Sequence, residues 1–210
     1  MKRFFVTRPD FDLGTSYLFK WTEPLIKEAE DAGMQVIDVK GPDVNEKTVV
    51  GKLRALTPGL VCLNGHGGKD TYCGHRFETV LDSGSASALA GTTAYVRACA
   101  CLDGLGKAAV KNGCKAFIGY SEDFIIPISD EFAATPLRDP VAKPVMEASN
   151  AIVERLIDGK TPETAVENSR KIMKEHVRRI LYSKEYAEDL RFGDTLFALI
   201  TNDGSLGVKE

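Results

Sequence analysis

Two side chains in this 210-residue sequence have the chemistry of a nucleophile and its base, Cys101 and His66. Each follows a short apolar run. Leu60-Val61-Cys62-Leu63 leads through Asn64-Gly65 to His66-Gly67-Gly68, and Thr93-Ala94-Tyr95-Val96-Arg97-Ala98-Cys99-Ala100 leads into Cys101, with Gly104 and Gly106 just beyond. Runs of this length and composition predict buried strands. In open α/β sheets, ligands bind outside the carboxyl ends of the strands. Adjacent strands lie about 4.8 Å apart, so a thiol and an imidazole at neighbouring ends can meet. Cys99 falls within the predicted strand. Cys101 falls at its exit, beside glycines that let a substrate approach closely, and is the better placed thiol. A free thiol with a pKa near 8.5 is only a few per cent ionised at neutral pH and needs a base or a positive dipole. His66 supplies the first, and the amino end of a helix beginning at Leu105 supplies the second. Backbone N–H groups of Gly67 and Cys101 then face the space between the two side chains and can serve an oxyanion.

The elements that must hold this pair follow from periodicity and punctuation. Arg3 to Arg8 reads as a first strand, Thr15 to Asp31 as a helix with Tyr17, Leu18, Trp21, Leu25, Ile26 and Ala29 on its apolar face, and Met34 to Val39 as strand two. Asp10 or Asp12 can cap the first helix. A helix from Val44 to Leu56 precedes strand three, Gly59 to Leu63. Residues 65 to 92 read mostly as loop, with a short helix at Ala86 to Ala90. A helix from Leu105 to Asn112 precedes strand five, Lys115 to Tyr120. Ser121 to Pro144 has no periodicity and reads as a functional or flexible segment beside the cleft. Helices follow over Val145 to Ile157 and from Thr161 to Tyr182, then a last strand over Thr195 to Thr201 and a turn at Asn202-Asp203-Gly204-Ser205. Uninterrupted strand–helix alternation in the first half predicts an α/β fold with a mostly parallel sheet and right-handed crossovers. Residues 1–210 form a single expected domain.

Composition limits what this fold serves. Hydrophobic residues make up 43% and charged ones 27%, with a formal net charge of −3. No run of Lys or Arg exceeds two, which argues against nucleic acid or an anionic membrane as partner. The amino-terminal stretch turns polar too soon for a signal peptide, and no apolar run approaches the ~20 residues of a membrane span. The five cysteines are an odd count, two of them inside predicted strands, which suggests reduced thiols and a cytoplasmic protein.

A hydrophobic block ending in His-Gly, followed by one ending in Ala-Cys, resembles the caspase-like cysteine peptidases: caspases, metacaspases, legumain, gingipains, clostripain and separase. Ala100-Cys101-Leu102-Asp103-Gly104 is similar to the family's small residue, Cys, two residues, Gly. Lys115 to Ser121 resembles the next family strand, whose end lines the substrate cleft. The likeness covers roughly residues 1 to 125. It implies a three-layer fold, with helices on both faces of the sheet, and hydrolysis of peptide bonds through a thioester. In that reading His66 is the base, Cys101 the nucleophile, Gly67 and Cys101 the oxyanion donors, and no cofactor or metal is needed. The partner is a peptide or protein substrate, and a homodimer stays open. The family reads the residue before the cut bond from the loop after strand one, the position two before the nucleophile and the end of strand five. Here these offer Arg8, Asp10 and Asp12, then Cys99 where many relatives carry a charged or amide side chain, then Ser121, Glu122 and Asp123. Acids outnumber the base, so cleavage after a basic residue is expected, with Asp123 the first contact and Asp10 the second.

Other readings compete. Cys62, His66, Cys73 and His75 are zinc-ligand types, although their spacing is not that of a paired finger. A flavodoxin-like binding module would use Thr15 and Ser16 at a helix start for phosphate. A catalytically degenerate caspase-like scaffold is the stronger non-enzyme alternative. Trp21 reads as core and His176 as part of a solvated face.

Overall fold

The structure, a computed structural model, describes residues 2–184, 186 and 189–210. Its main sheet has six strands: β1 (Arg3–Arg8), β2 (Gln35–Lys40), β3 (Leu60–Asn64), β7 (Thr93–Arg97), β8 (Ala116–Tyr120) and β9 (Leu206–Lys209). Their order across the sheet is β2-β1-β3-β7-β8-β9. All neighbours are parallel except β9, which runs antiparallel to β8. The chain leaves β1 toward β2, then crosses back to place β3 on β1's other side. That reversal opens a crevice at the carboxyl ends of β1 and β3.

Strand alternation sends side chains to two cores. Val61, Leu63, Ala94, Val96 and Phe117 face α2 (Glu46–Leu56) and α3 (Lys107–Lys111). Leu60, Cys62, Tyr95, Ile118 and Tyr120 face α1 (Leu13–Asp31), α4 (Lys143–Ile157), α5 (Pro162–Tyr182) and α6 (Phe192–Ser205). The strands are apolar on both faces because both faces are covered. The expected three-layer α/β arrangement is therefore present.

Two expectations are corrected. The run Thr195 to Thr201 is not a strand but part of α6, and the turn read at 202–205 lies in the same helix. A short apolar run is ambiguous between strand and buried helix. Here Thr195, Ala198, Leu199 and Asn202 are buried at helical spacing, while Phe197 is 63% and Ile200 61% exposed. Residues 65–92, read as loop, contain a small antiparallel sheet of β4 (His66–Gly68), β5 (Thr71–Cys73) and β6 (Thr79–Asp82). Strands of three or four residues among glycines carry no periodic signal. Buried Tyr72 locks this sheet to the main one: its hydroxyl lies 2.7 Å from both the Thr7 hydroxyl and the Asn64 carbonyl oxygen.

The aperiodic stretch after β8 is tied down rather than loose. Asp139 is fully buried and accepts hydrogen bonds from the Tyr17 hydroxyl (2.7 Å) and the backbone N–H groups of Ser129 and Val141 (2.9 Å each). Trp21, in the core as expected, donates its indole N–H to the Pro136 carbonyl at 3.1 Å. His176 is not on a solvated face; its ring is largely covered and lies 3.3 Å from Glu147. Removing Asp139 strands several buried donors, each costing about 1–3 kcal/mol. We expect Asp139→Ala to lower unfolding stability in urea by at least about 2 kcal/mol, and to make residues 121–142 the first internal segment cut in limited proteolysis.

Candidate active site

Four adjacent parallel strands, β1, β3, β7 and β8, end at the same edge, and each delivers one part of a cleft. Four residues past β1, Asp12 caps α1: its carboxylate accepts the Thr15 N–H at 2.8 Å, and the Thr15 hydroxyl accepts the Asp12 N–H in return. Beyond β3, Gly65 donates its N–H to the Arg97 carbonyl (3.3 Å), and the chain turns into β4 at His66. The second carboxylate oxygen of Asp12 lies 2.6 Å from His66 Nε2. Burial alone would raise the Asp12 carboxyl, but hydrogen bonds from the Thr15 N–H and from His66 outweigh it and hold Asp12 below the usual range. An ionised carboxylate only accepts, so Nε2 carries the proton and Nδ1 is left as the basic nitrogen. Phe77 packs on the imidazole at 4.6 Å between centroids, and Phe11 meets it edge-on at 5.8 Å.

Beyond β7, the structure separates the two candidate thiols. The strand ends at Arg97, and Ala100 takes a left-handed φ of 55°, its N–H donating to the Glu122 carbonyl at 2.8 Å. A non-glycine residue in that region is strained, and such turns cluster at functional sites. The turn exposes Cys99 in part and sends Cys101 back into the core. Cys101 is 0% exposed, packs with Leu102, Leu105 and Phe117, and lies 3.6 Å from the Ala98 carbonyl. Burial pushes its thiol up to about 12. Cys99, instead, lines a cleft of about 190 Å³ together with His66, Gly14, Thr15, Leu18, Gly65, Ala98, Phe124, Ile126 and Ile128. Gly67 closes the gap between the two halves. A Cβ there would sit 2.9 Å from Ala98 Cβ and 3.1 Å from the Cys99 carbonyl oxygen, so only glycine permits this approach. Gly104 does the same one layer down, against the Lys69 carbonyl.

The remaining expected site residues do not enter the cleft. The exposed Asp10 carboxylate accepts a hydrogen bond from the Ser16 hydroxyl. Ser121 donates through both its N–H and its hydroxyl to the Ser205 carbonyl. Glu122 contributes only its backbone carbonyl to Ala100. Asp123 lies off the cleft, near the Cys99 thiol. Burial raises the Cys99 thiol and outweighs the Phe124 N–H, which favours the thiolate; the nearby Asp123 carboxylate adds a smaller push in the same direction as burial. Nor do the zinc-ligand types converge: Cys62 is buried beneath the sheet, His66 is bound to Asp12 and His75 lies against Phe11. No group of three such ligands occurs among the described residues. Thr15 and Ser16, the phosphate-module candidates, are engaged by Asp12 and Asp10.

No protein-family model matches the chain, and no curated protein matches it. Among solved structures it is similar to the complex of Porphyromonas gingivalis RgpB pro- and mature domains. That match has a TM-score of 0.56 at 12% identity, and covers 95% of this chain and 45% of the RgpB chain. The fold is caspase-like. The chain spans less than half the length of that gingipain structure, and at this identity the likeness carries architecture alone.

The sequence offers Asp12 as a helix cap and, through the resemblance, as one of the acids after strand one, and its link to the histidine has no local signal. Cys99 had one. The Ala-Cys pair occurs twice in succession, as Ala98-Cys99 and Ala100-Cys101, and only the first has a charged residue, Arg97, two positions before the cysteine. Because the Asp123 carboxylate adds to the burial that raises the Cys99 thiol, Asp123→Asn is expected to move the pH profile of Cys99 alkylation by iodoacetamide to lower pH and to raise its rate at neutral pH. An unchanged profile would place Asp123 away from the thiol.

Proposed function

We propose that this chain is a cysteine peptidase with Cys99 as nucleophile, His66 as base and acid, and Asp12 as the residue that orients His66. The observation that carries the reading is the shared cleft: a half-buried thiol and an imidazole anchored at 2.6 Å to a carboxylate, all at adjacent strand ends. A raised thiol is a poor nucleophile until a base removes its proton during attack. His66 Nδ1 takes that proton as Cys99 Sγ bonds to the substrate carbonyl carbon. In this reading the Gly67 N–H and the N–H of Cys99 itself serve the oxyanion. The protonated imidazole then gives its proton to the leaving amine as the C–N bond breaks, and leaves a thioester on Cys99. Water, deprotonated by His66, attacks the thioester; the acid product departs and the thiol regains its proton. Asp12 stabilises the imidazolium formed in each half-reaction without accepting the proton.

Fluorogenic peptides test this. Cys99→Ala and His66→Ala are expected to lower kcat/KM by about three orders of magnitude or more, and Asp12→Asn by at least about tenfold. Cys101→Ala is expected to keep activity within a few-fold while lowering stability. Activity lost in Cys101→Ala and kept in Cys99→Ala would return the nucleophile to the buried thiol.

A further inference from the structure

The cleft beside Cys99 has walls whose chemistry selects a substrate side chain. Leu18 closes it from the first turns of α1, and Phe124, Ile126 and Ile128 close it from the segment after β8, while Gly14 leaves room at the mouth. These walls are braced. Phe124 stacks on buried Tyr120 at 4.6 Å, and Ile126 and Ile128 pack on the cluster of Tyr17, Leu18, Trp21, Ala142 and Met146. The backbone of Ile125 is clamped in both directions by Asn202 of α6, at 3.0 and 2.9 Å. The cleft is thus formed before any ligand arrives.

Among the described residues that line it there is no Asp, Glu, Lys or Arg. The Thr15 hydroxyl is spent on the Asp12 cap, Asp10 holds Ser16, and Asp123 lies off the cleft. Arg8 is bound by Asp38 and Glu23. Arg97, two residues before Cys99, is fully buried with its guanidinium 5.6 Å from the Tyr95 ring and does not line the cleft. A charged side chain entering here would lose its hydration with nothing to replace it. An apolar one would gain by burial.

Resting on the peptidase reading above, we infer that the chain cuts after an apolar residue of leucine or phenylalanine size, whose side chain fills the Leu18–Phe124–Ile126–Ile128 cleft. The side of the bond follows from the chemistry. His66 must reach the leaving nitrogen, so the leaving part lies toward His66, Phe77 and Phe11. The acyl part stays on Cys99, and its side chain is the one that meets these walls. Size agrees as well: an engineered apolar cavity of about 150 Å³ takes up benzene, and this cleft measures about 190 Å³. The reading replaces the basic selectivity expected from the count of nearby acids, since each of those acids is engaged elsewhere or lies off the cleft.

The test is a set of fluorogenic peptides that differ only in the residue before the bond, run beside iodoacetamide labelling of Cys99 in the native chain and in His66→Ala. We expect Leu, Met and Phe to exceed Lys, Arg, Asp and Glu by at least about a hundredfold in kcat/KM, and Ala by about tenfold. Ile126→Ala, which widens the cleft, is expected to move the optimum from Leu toward Phe. Ile126→Asp, if it folds, is expected to raise cleavage after Arg or Lys. Cys99-dependent cleavage that favours Arg or Lys overturns the inference in favour of Asp123, and cleavage that favours Asp or Glu overturns it in favour of Arg97. Either result leaves the peptidase reading standing. If no peptide is cut and Cys99 labelling is indifferent to His66→Ala, the peptidase reading fails and takes this inference with it.

Discussion

The hydrogen bond between Asp12 and His66 is the constraint on which the rest of the site depends. It joins a residue just past β1 to one just past β3, and so requires those two strands to be neighbours with aligned carboxyl ends. The parallel register that pairs Phe4 with Leu60 and Val6 with Cys62 secures this. The same carboxylate caps α1, so the helix start and the imidazole are fixed by one group. An N-cap is worth about 1 kcal/mol. A partly exposed carboxylate–imidazole contact is worth little in stability on its own. Their union places the bond in a single geometry, and orientation rather than stability is what it contributes. With Nε2 committed to Asp12, the remaining ring nitrogen is directed by elimination.

Around that bond the structure tolerates close backbone approach at a few points and rigidifies everything else. Gly67 lies against Ala98 and the Cys99 carbonyl, and Gly104 against the loop that carries Lys69 and Asp70. Each would clash with any Cβ, and together they clamp the histidine-bearing turn onto the cysteine-bearing one. Local strain at Ala100 is held in place by its hydrogen bond to Glu122 and by the burial of Cys101 beneath it. The second cysteine therefore has a structural part: it is the small apolar residue that the tight turn drives into the core against Gly119. Opposite the thiol, the stretch after β8 gains order from one buried carboxylate, Asp139, and from Asn202 of α6, groups far away in sequence. The cleft wall of Phe124, Ile126 and Ile128 is rigid for that reason and not through any regular secondary structure of its own.

What the sequence determined by itself was the frame. Apolar runs bounded by glycine and proline defined β1, β2, β3 and β8 to within a residue or two at most of their ends, along with the start of β7, and helical spacing defined α1, α2, α4 and α5. Alternation of the two implied a parallel sheet with functional groups at its carboxyl edge, and His66 stood where that logic put it. These features were legible because they are local, in periodicity, caps and breakers. What only the tertiary structure decided was everything set by a meeting of distant residues. Alanine and cysteine carry no strand-ending signal, so the point where β7 stops, and with it which of Cys99 and Cys101 reaches the cleft, depended on the left-handed turn at Ala100 and its hydrogen bond to the Glu122 carbonyl. The apolar run in α6 suits strand and helix equally, and packing against α5 and α4 settled it. Asp12 looked like any helix cap until β3 brought a histidine within 2.6 Å. A sequence states which charges exist near the cleft and not which are already paired. Pairing is a property of three-dimensional neighbours, and in this chain the neighbours leave the cleft apolar.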